Sequence, residues 1–116
     1  MKRRVLIIVT SDPRISARPA EAVRIAAGVG AWEKVNVVLY LRGAAVLALG
    51  EHAEELVDGD HFVGYLPLAA EGDRRVWAQR DSPLLAELGE ARITFETMDD
   101  GQLAQLAADS DCVVRF

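Results

Sequence analysis

Short apolar runs recur along the chain, and polar or helix-forming stretches separate them. Continuous runs rich in β-branched residues are typical of strands that are buried on both faces of a parallel sheet. The pattern predicts five strands: VLIIVTS (5–11), KVNVVLYL (34–41), RRVWAQ (74–79), RITFETM (92–98) and CVVRF (112–116).

The segments between these strands predict helices, with one uncertain segment. That segment is HFVGYLPLAAEGD (61–73), for which we expect a helix or irregular turn interrupted near Pro67, because proline removes a helix hydrogen bond. Ser82 and Pro83 have the residue types of an N-cap and a first helical turn. The predicted helices are AEAVRIAAGVGAW (20–32) behind Pro19, one or two short helices within 42–60 that end near Gly59, SPLLAELG (82–89), and DDGQLAQLAADS (99–110) with Leu103, Leu106 and Ala107 on one face.

Strand and helix therefore alternate from end to end. This alternation indicates right-handed crossovers and a largely parallel sheet with helices on both faces. We predict an α/β fold, a single-domain three-layer sandwich with a mostly parallel five-stranded sheet, spanning residues 1–116.

Composition narrows the class of protein. The chain has 116 residues, of which 51% are hydrophobic, and this is enough for a small core without disulfides. A net charge of −5 argues against a nucleic-acid-binding domain, which normally presents a basic face. The apolar run Val5 to Val9 is too short for a signal peptide, and no apolar stretch approaches a membrane span. We therefore expect a cytoplasmic protein with neither nucleic acid nor membrane as its partner.

Two segments contain more apolar residues than one face of a sheet requires. Between Ala22 and Trp32 the only charged residue is Arg24, and the stretch from Gly43 to Gly50 has none. A helix that is apolar all round is covered on both sides, and another copy of the chain could supply that cover. The sequence therefore favours a homo-oligomer. The alternative is that small Ala and Gly residues simply pack closely against the sheet.

The loops after the strands are where sites lie in open α/β sheets. Hydroxyls and arginines after the first strand would suit a small anion beside a helix N-terminus. Alternatively, Asp12 and Ser16 serve turn and cap chemistry, and the arginines are solvated. Neither GxGxxG nor GxxxxGK[ST] occurs. The ligand-binding candidates are Ser11, Arg14 and Arg18, then Arg42 after the second strand, and Gln79 and Arg80, followed by Asp81, after the third.

Metal and nucleophile chemistry have weaker support. His52 and Glu55 could share a helix face, but no pattern places a third or fourth metal ligand, so a solvated acidic face is expected and no metal or cofactor is predicted. Neither His52 nor His61 has a partner at a recognisable nucleophile motif. The single cysteine, Cys112, excludes an internal disulfide, and its position in a terminal strand predicts a buried, inert thiol.

Taken together, three long segments resemble the DsrE/DsrF/DsrH-like proteins. They are residues 5–49, the stretch GDRRVWAQRDSPLLAELG (72–89), and the ending ITFETMDDGQLAQLAADSDCVVRF (93–116). The resemblance implies a flavodoxin-like parallel sheet, assembly into trimers or hexamers, and partners from sulfur relay. In many sulfur-relay members it also implies a persulfide-carrying cysteine at the end of the third strand, at about Ala78 here.

Alanine at this position cannot carry sulfane sulfur, because a thiolate is required. We therefore expect a non-catalytic or divergent DsrE-like subunit, with a structural or binding role in sulfur relay and no enzyme activity of its own. The alternative is a small-anion or nucleotide-binding module. A weaker alternative is a sulfur carrier that uses Cys112.

Overall fold

Five parallel strands form one sheet in the computed structural model, which describes residues 2–32 and 34–116. The sheet order is β4-β3-β2-β1-β5, and every strand pairing in it is parallel. This confirms the predicted α/β fold class. The strands are β1 (Arg3–Val9), β2 (Val35–Leu41), β3 (Val76–Gln79), β4 (Glu96–Met98) and β5 (Cys112–Arg115).

The strand order explains where the helices lie. The chain moves outward from β1 through β2 and β3 to β4, and right-handed crossovers place those connections on one face. It then returns across the whole sheet to β5, so the last helix lies on the opposite face. The helices are α1 (Arg18–Gly30), α2 (Asp60–Ala69) and α3 (Asp100–Ala108), with short 3₁₀ helices at Gly43–Leu49, Ala53–Glu55 and Pro83–Glu87.

The two faces of the sheet carry cores of unequal size. Inward side chains of α1, α2 and the 3₁₀ helices pack on the first face, around Leu39, Phe62 and Leu66. The second face has a smaller cluster beneath α3, formed by Leu6, Ile8, Tyr40 and Met98 with Leu103, Leu106 and Ala107 packed against it. A single nine-residue helix thus covers the second face, and it leaves space at both ends of the strands.

Two helical segments differ from their predictions. Helix α2 runs through Pro67 to Ala69, so the predicted interruption is wrong. Pro67 has no amide hydrogen to donate to the Val63 carbonyl, four residues earlier in the helix. Both residues lie on the exposed side of α2, where water can hydrogen bond to that carbonyl. Ser82 does precede the helix Pro83–Glu87, but its hydroxyl donates to the Gly43 carbonyl at 2.9 Å and does not cap.

The apolar stretch from Gly43 to Gly50 is covered by the chain's own fold. Its residues Ala45, Val46, Ala48 and Leu49 are fully buried in the larger core. A second copy is therefore not needed to explain this segment.

Strand β4 is shorter than predicted, because the Arg92 amide donates to the Leu49 carbonyl and ties residues before β4 to the Gly43–Leu49 segment.

The described helices include none that is both long and apolar enough to cross a membrane.

Candidate functional site

All five strands end at one side of the sheet, which we call the carboxyl-end edge. Hydrogen bonds hold the exits of neighbouring strands together: the Arg42 amide donates to Val9, the Thr10 amide to Phe116, and the Arg80 amide to Met98, at 2.9 to 3.0 Å. Side chains that follow β1, β2 and β5 are therefore brought within reach of one another, although they are far apart in the sequence.

A cavity of about 370 Å³, which we call the edge cavity, lies between this edge and α3. Strand ends supply its hydroxyl and its two cations, from Thr10, Arg42 and Arg115. Helix α3 supplies the carboxylate of Asp100 and an apolar wall. The apolar lining is Ile8, Leu103, Ala104 and Ala107.

Arg42 and Asp100 form an ion pair in the edge cavity, with 2.7 Å between Nη1 and Oδ1. Asp100 is the first residue of α3, and the helix start is fixed by a capping box between Asp99 and Gln102. The hydrogen bond that Arg42 donates to the Asp100 carboxylate raises the pKa of the guanidinium, which stays charged. The pair thus joins the end of β2 to the first turn of α3.

Tyr40 lies beside this pair and is fully buried. It neighbours Ile8 in the sheet register and points to the α3 face. Burial raises the pKa of its hydroxyl, the charge of Arg42 and a long side-chain contact with it lower that pKa, and the charge of Asp100 raises it. Within residues 2–32 and 34–116 no partner meets full hydrogen-bond geometry with this hydroxyl, and Tyr40 is not among the residues that line the edge cavity. An unpaired buried hydroxyl costs stability.

Arg14 lies outside the edge cavity. Its guanidinium pairs with Asp12 at 2.8 Å, and Asp12 also accepts the Arg14 amide at 2.9 Å. These bonds lower the pKa of the Asp12 carboxyl. Asp12 therefore serves the local turn, as the alternative interpretation from sequence held.

Arg18 and Ser11 are engaged with the end of the chain. The Arg18 guanidinium lies 5.7 Å from the centre of the Phe116 ring and donates to the Arg115 carbonyl at 3.4 Å. The Ser11 amide donates to the Phe116 carbonyl at 3.3 Å. These contacts hold the terminal residue against the start of α1, and neither side chain lines the edge cavity.

Gln79 and Arg80 serve two different junctions. The Gln79 side-chain oxygen accepts the Gly43 amide at 2.9 Å and so fixes the turn after β2. The Arg80 guanidinium donates to Gln102 at 3.1 Å and to the Thr97 carbonyl at 3.3 Å, which ties β3 to the start of α3. Of the six arginine, serine and glutamine candidates, the structure places only Arg42 in the edge cavity.

Cys112 is exposed, so the prediction of a buried thiol is wrong. It begins β5, an edge strand whose outer side is uncovered, and it pairs with Val5 near the start of β1. The thiol therefore lies at the amino-end edge, across the sheet from the edge cavity. Ala78, by contrast, is fully buried in β3.

His52 contacts Glu51, with 3.3 Å between Nε2 and Oε1, and its side chain is largely exposed. Among the residues that the structure describes, no group of three or more His, Cys, Asp or Glu side chains is placed to hold a metal ion.

Sequence reasoning missed Asp100 and Arg115, which line the edge cavity, and Tyr40, whose strand neighbour Ile8 lines it. Tyr40 and Arg115 were predicted only as strand residues, and Asp100 only as a helix residue. The signal available was the position of Asp100 and Arg115 at the carboxyl ends of predicted strands, where sites gather.

Comparisons with known proteins identify the fold. No family model matches the chain, and no curated protein matches it significantly in sequence. The crystal structure of the ychN protein from E. coli superposes with a TM-score of 0.74 over 100% of both chains, at 19% sequence identity. The chain shares the fold of this protein. This confirms the fold that the sequence resemblance implied, and at this identity the likeness concerns the fold alone.

Proposed function

We propose that this chain is a DsrE-like binding subunit that holds a small anion in the edge cavity and carries no sulfur of its own. The observation that supports this most strongly is the composition of the cavity. Two arginines, a threonine hydroxyl and the N-terminus of α3 converge there, together with the Asp100 carboxylate that pairs with Arg42. Positive charge with helix amides is the arrangement that proteins use for anions.

A role as a subunit connected with sulfur relay is the one that the sequence resemblance implied. A carrier would need an accessible thiolate beside a binding site. Here the position expected for that thiol is a buried alanine, and the exposed Cys112 lies at the opposite edge from the cavity. These positions favour binding over transfer.

We also propose that copies of this chain assemble through the outer face of α1. Trp32 is 70% exposed there, beside a shallow apolar groove of about 400 Å³. The groove is lined by Arg24, Ile25, Gly28, Val29, Trp32 and Val35. A second copy is the occupant we infer, because the apolar composition of this helix extends beyond the face that its own sheet covers.

Calorimetric titration with inorganic phosphate at fixed ionic strength tests anion binding. We expect saturable binding by the native chain and at least about a tenfold loss in Arg42→Gln, because hydrogen bonds to charged groups contribute about 1.5–3 kcal/mol. Arg14→Gln is the matched control, since Arg14 is an arginine of the same edge outside the cavity. Equal losses in both variants, or no binding by the native chain, would contradict the proposal.

A further inference from the structure

The lining of the edge cavity is divided between two chemistries. The strand ends contribute the cations and a hydroxyl, whereas α3 contributes a stripe formed by Leu103, Ala104 and Ala107. A volume of about 370 Å³ corresponds to roughly a dozen water molecules at about 30 Å³ each. A bare oxyanion held by the arginines would leave most of this space and the apolar stripe unfilled. The lining therefore suits an anion that carries an apolar group.

Asp100 already pairs with Arg42, the cation that such a ligand would need. Its carboxylate lies 2.7 Å from Arg42, as the oxygen of a bound anion would. The Asp100 side chain is 69% exposed, and exposed ion pairs contribute little to stability, so an incoming anion can exchange with it. The carboxylate also repels any second anion that approaches Arg42.

We infer that the ligand is an organic anion, with one oxyanion group and a small apolar body, and that it binds by displacing Asp100 from Arg42. The oxyanion takes the Arg42 hydrogen bond that Asp100 accepts in the free protein, and the apolar body packs on the stripe of α3. Asp100 is thus an internal competitor for the site. This inference rests on the proposed anion-binding function and adds the class of ligand and the group that it displaces.

Phenyl phosphate and inorganic phosphate are suitable probes, titrated by calorimetry at constant ionic strength. We expect phenyl phosphate to bind the native chain at least about fivefold more tightly, because its ring buries apolar surface. Asp100→Asn should bind it about three- to tenfold more tightly than the native chain, and Asp100→Ser should behave alike.

The outcomes separate this inference from the proposed function. Equal affinities for the two anions would overturn the class of ligand, and unchanged or weaker binding in both folded Asp100 variants would overturn the competition. In either case anion binding itself would stand. Absence of binding for both anions, in the native chain and in the Asp100 variants, would instead contradict the proposed function. Circular dichroism spectra establish that each variant is folded.

Discussion

The Arg42 guanidinium and the Asp100 carboxylate meet at 2.7 Å, although the two residues are 58 positions apart in the chain. Arg42 directly follows the end of β2, and Asp100 is the first residue of α3, the helix that connects β4 to β5 on the opposite face. The pair therefore closes one side of the edge cavity with a contact that a ligand can replace. The proposals for binding and for competition both depend on this contact.

Replacing Tyr40 with phenylalanine should leave stability unchanged or raise it by about 1 kcal/mol near pH 7, because no partner in the described structure meets full hydrogen-bond geometry with the hydroxyl. Urea denaturation measures the free energy of unfolding. A loss of more than about 1 kcal/mol would show that the hydroxyl is satisfied within the protein.

The same variant should also differ from the native chain in alkaline solution. Burial raises the pKa of Tyr40 in the folded state, partly offset by Arg42, while Asp100 and Asp81 add to the rise. The unfolded chain then loses this proton first, so stability is retained below pH 10 and falls as the pH rises above about 10. Thermal melts at pH 8 and pH 10.5 should show a steeper loss in the native chain than in Tyr40→Phe; parallel losses would contradict this.

Gly59 should be intolerant of alanine. A Cβ there would lie 2.4 Å from the Glu54 carbonyl oxygen and 2.6 Å from that of Ala53, both backbone atoms that cannot move independently. We expect Gly59→Ala to cost about 3 kcal/mol. Gly64→Ala is the matched control in α2, because a Cβ at Gly64 meets no described atom within 4 Å outside its own helix. It should stabilise by about 0.5–1 kcal/mol. Urea denaturation measures the free energy of unfolding of both variants. Similar losses of stability in Gly59→Ala and Gly64→Ala would refute the packing argument.

Trp32→Glu should dissociate the assembly that we propose, because it places a charge in the apolar groove on α1. Size-exclusion chromatography with light scattering measures the mass at micromolar concentrations. Ile15→Glu, at an apolar residue that is exposed elsewhere, should keep the native mass. A native chain that is strictly monomeric at these concentrations would refute the proposed assembly.

Exposure to a persulfide donor should leave no sulfur on a binding subunit under mild conditions. Intact-mass spectrometry detects the gain of one sulfur, and Cys112→Ser is the control. We expect equal masses relative to each untreated protein, because Cys112 lies away from the edge cavity. A stable gain that disappears in Cys112→Ser would support the alternative of a sulfur carrier.

The fold was predictable because its signals are local. The runs that became β1 and β2 are largely apolar, and α3 lies within the predicted helix 99–110. Pro67 misled the prediction because its place two residues before the end of α2, on an exposed face, depends on the tertiary structure. The burial of Gly43–Leu49 likewise follows from its packing within the chain.

The site was predictable only in part. Arg42 was a candidate because it follows a strand, but its partner Asp100 depends on the strand order, which the sequence left open. The crossover from β4 to β5 brings the start of α3 to the end of β2, and β5 brings Arg115 beside β1. The loop arginines Arg14 and Arg18 looked equally suitable in sequence, and only the structure shows the partners that hold them.

The most direct test of the central claim is a phosphate titration of the ¹⁵N-labelled chain, followed by nuclear magnetic resonance. The edge cavity predicts saturable amide shifts centred on Thr10, Arg42, Gly101 and Arg115, and their loss in Arg42→Gln. Shifts centred instead on the loop from Ser11 to Arg18, or no saturable shifts at all, would contradict an anion site in the edge cavity.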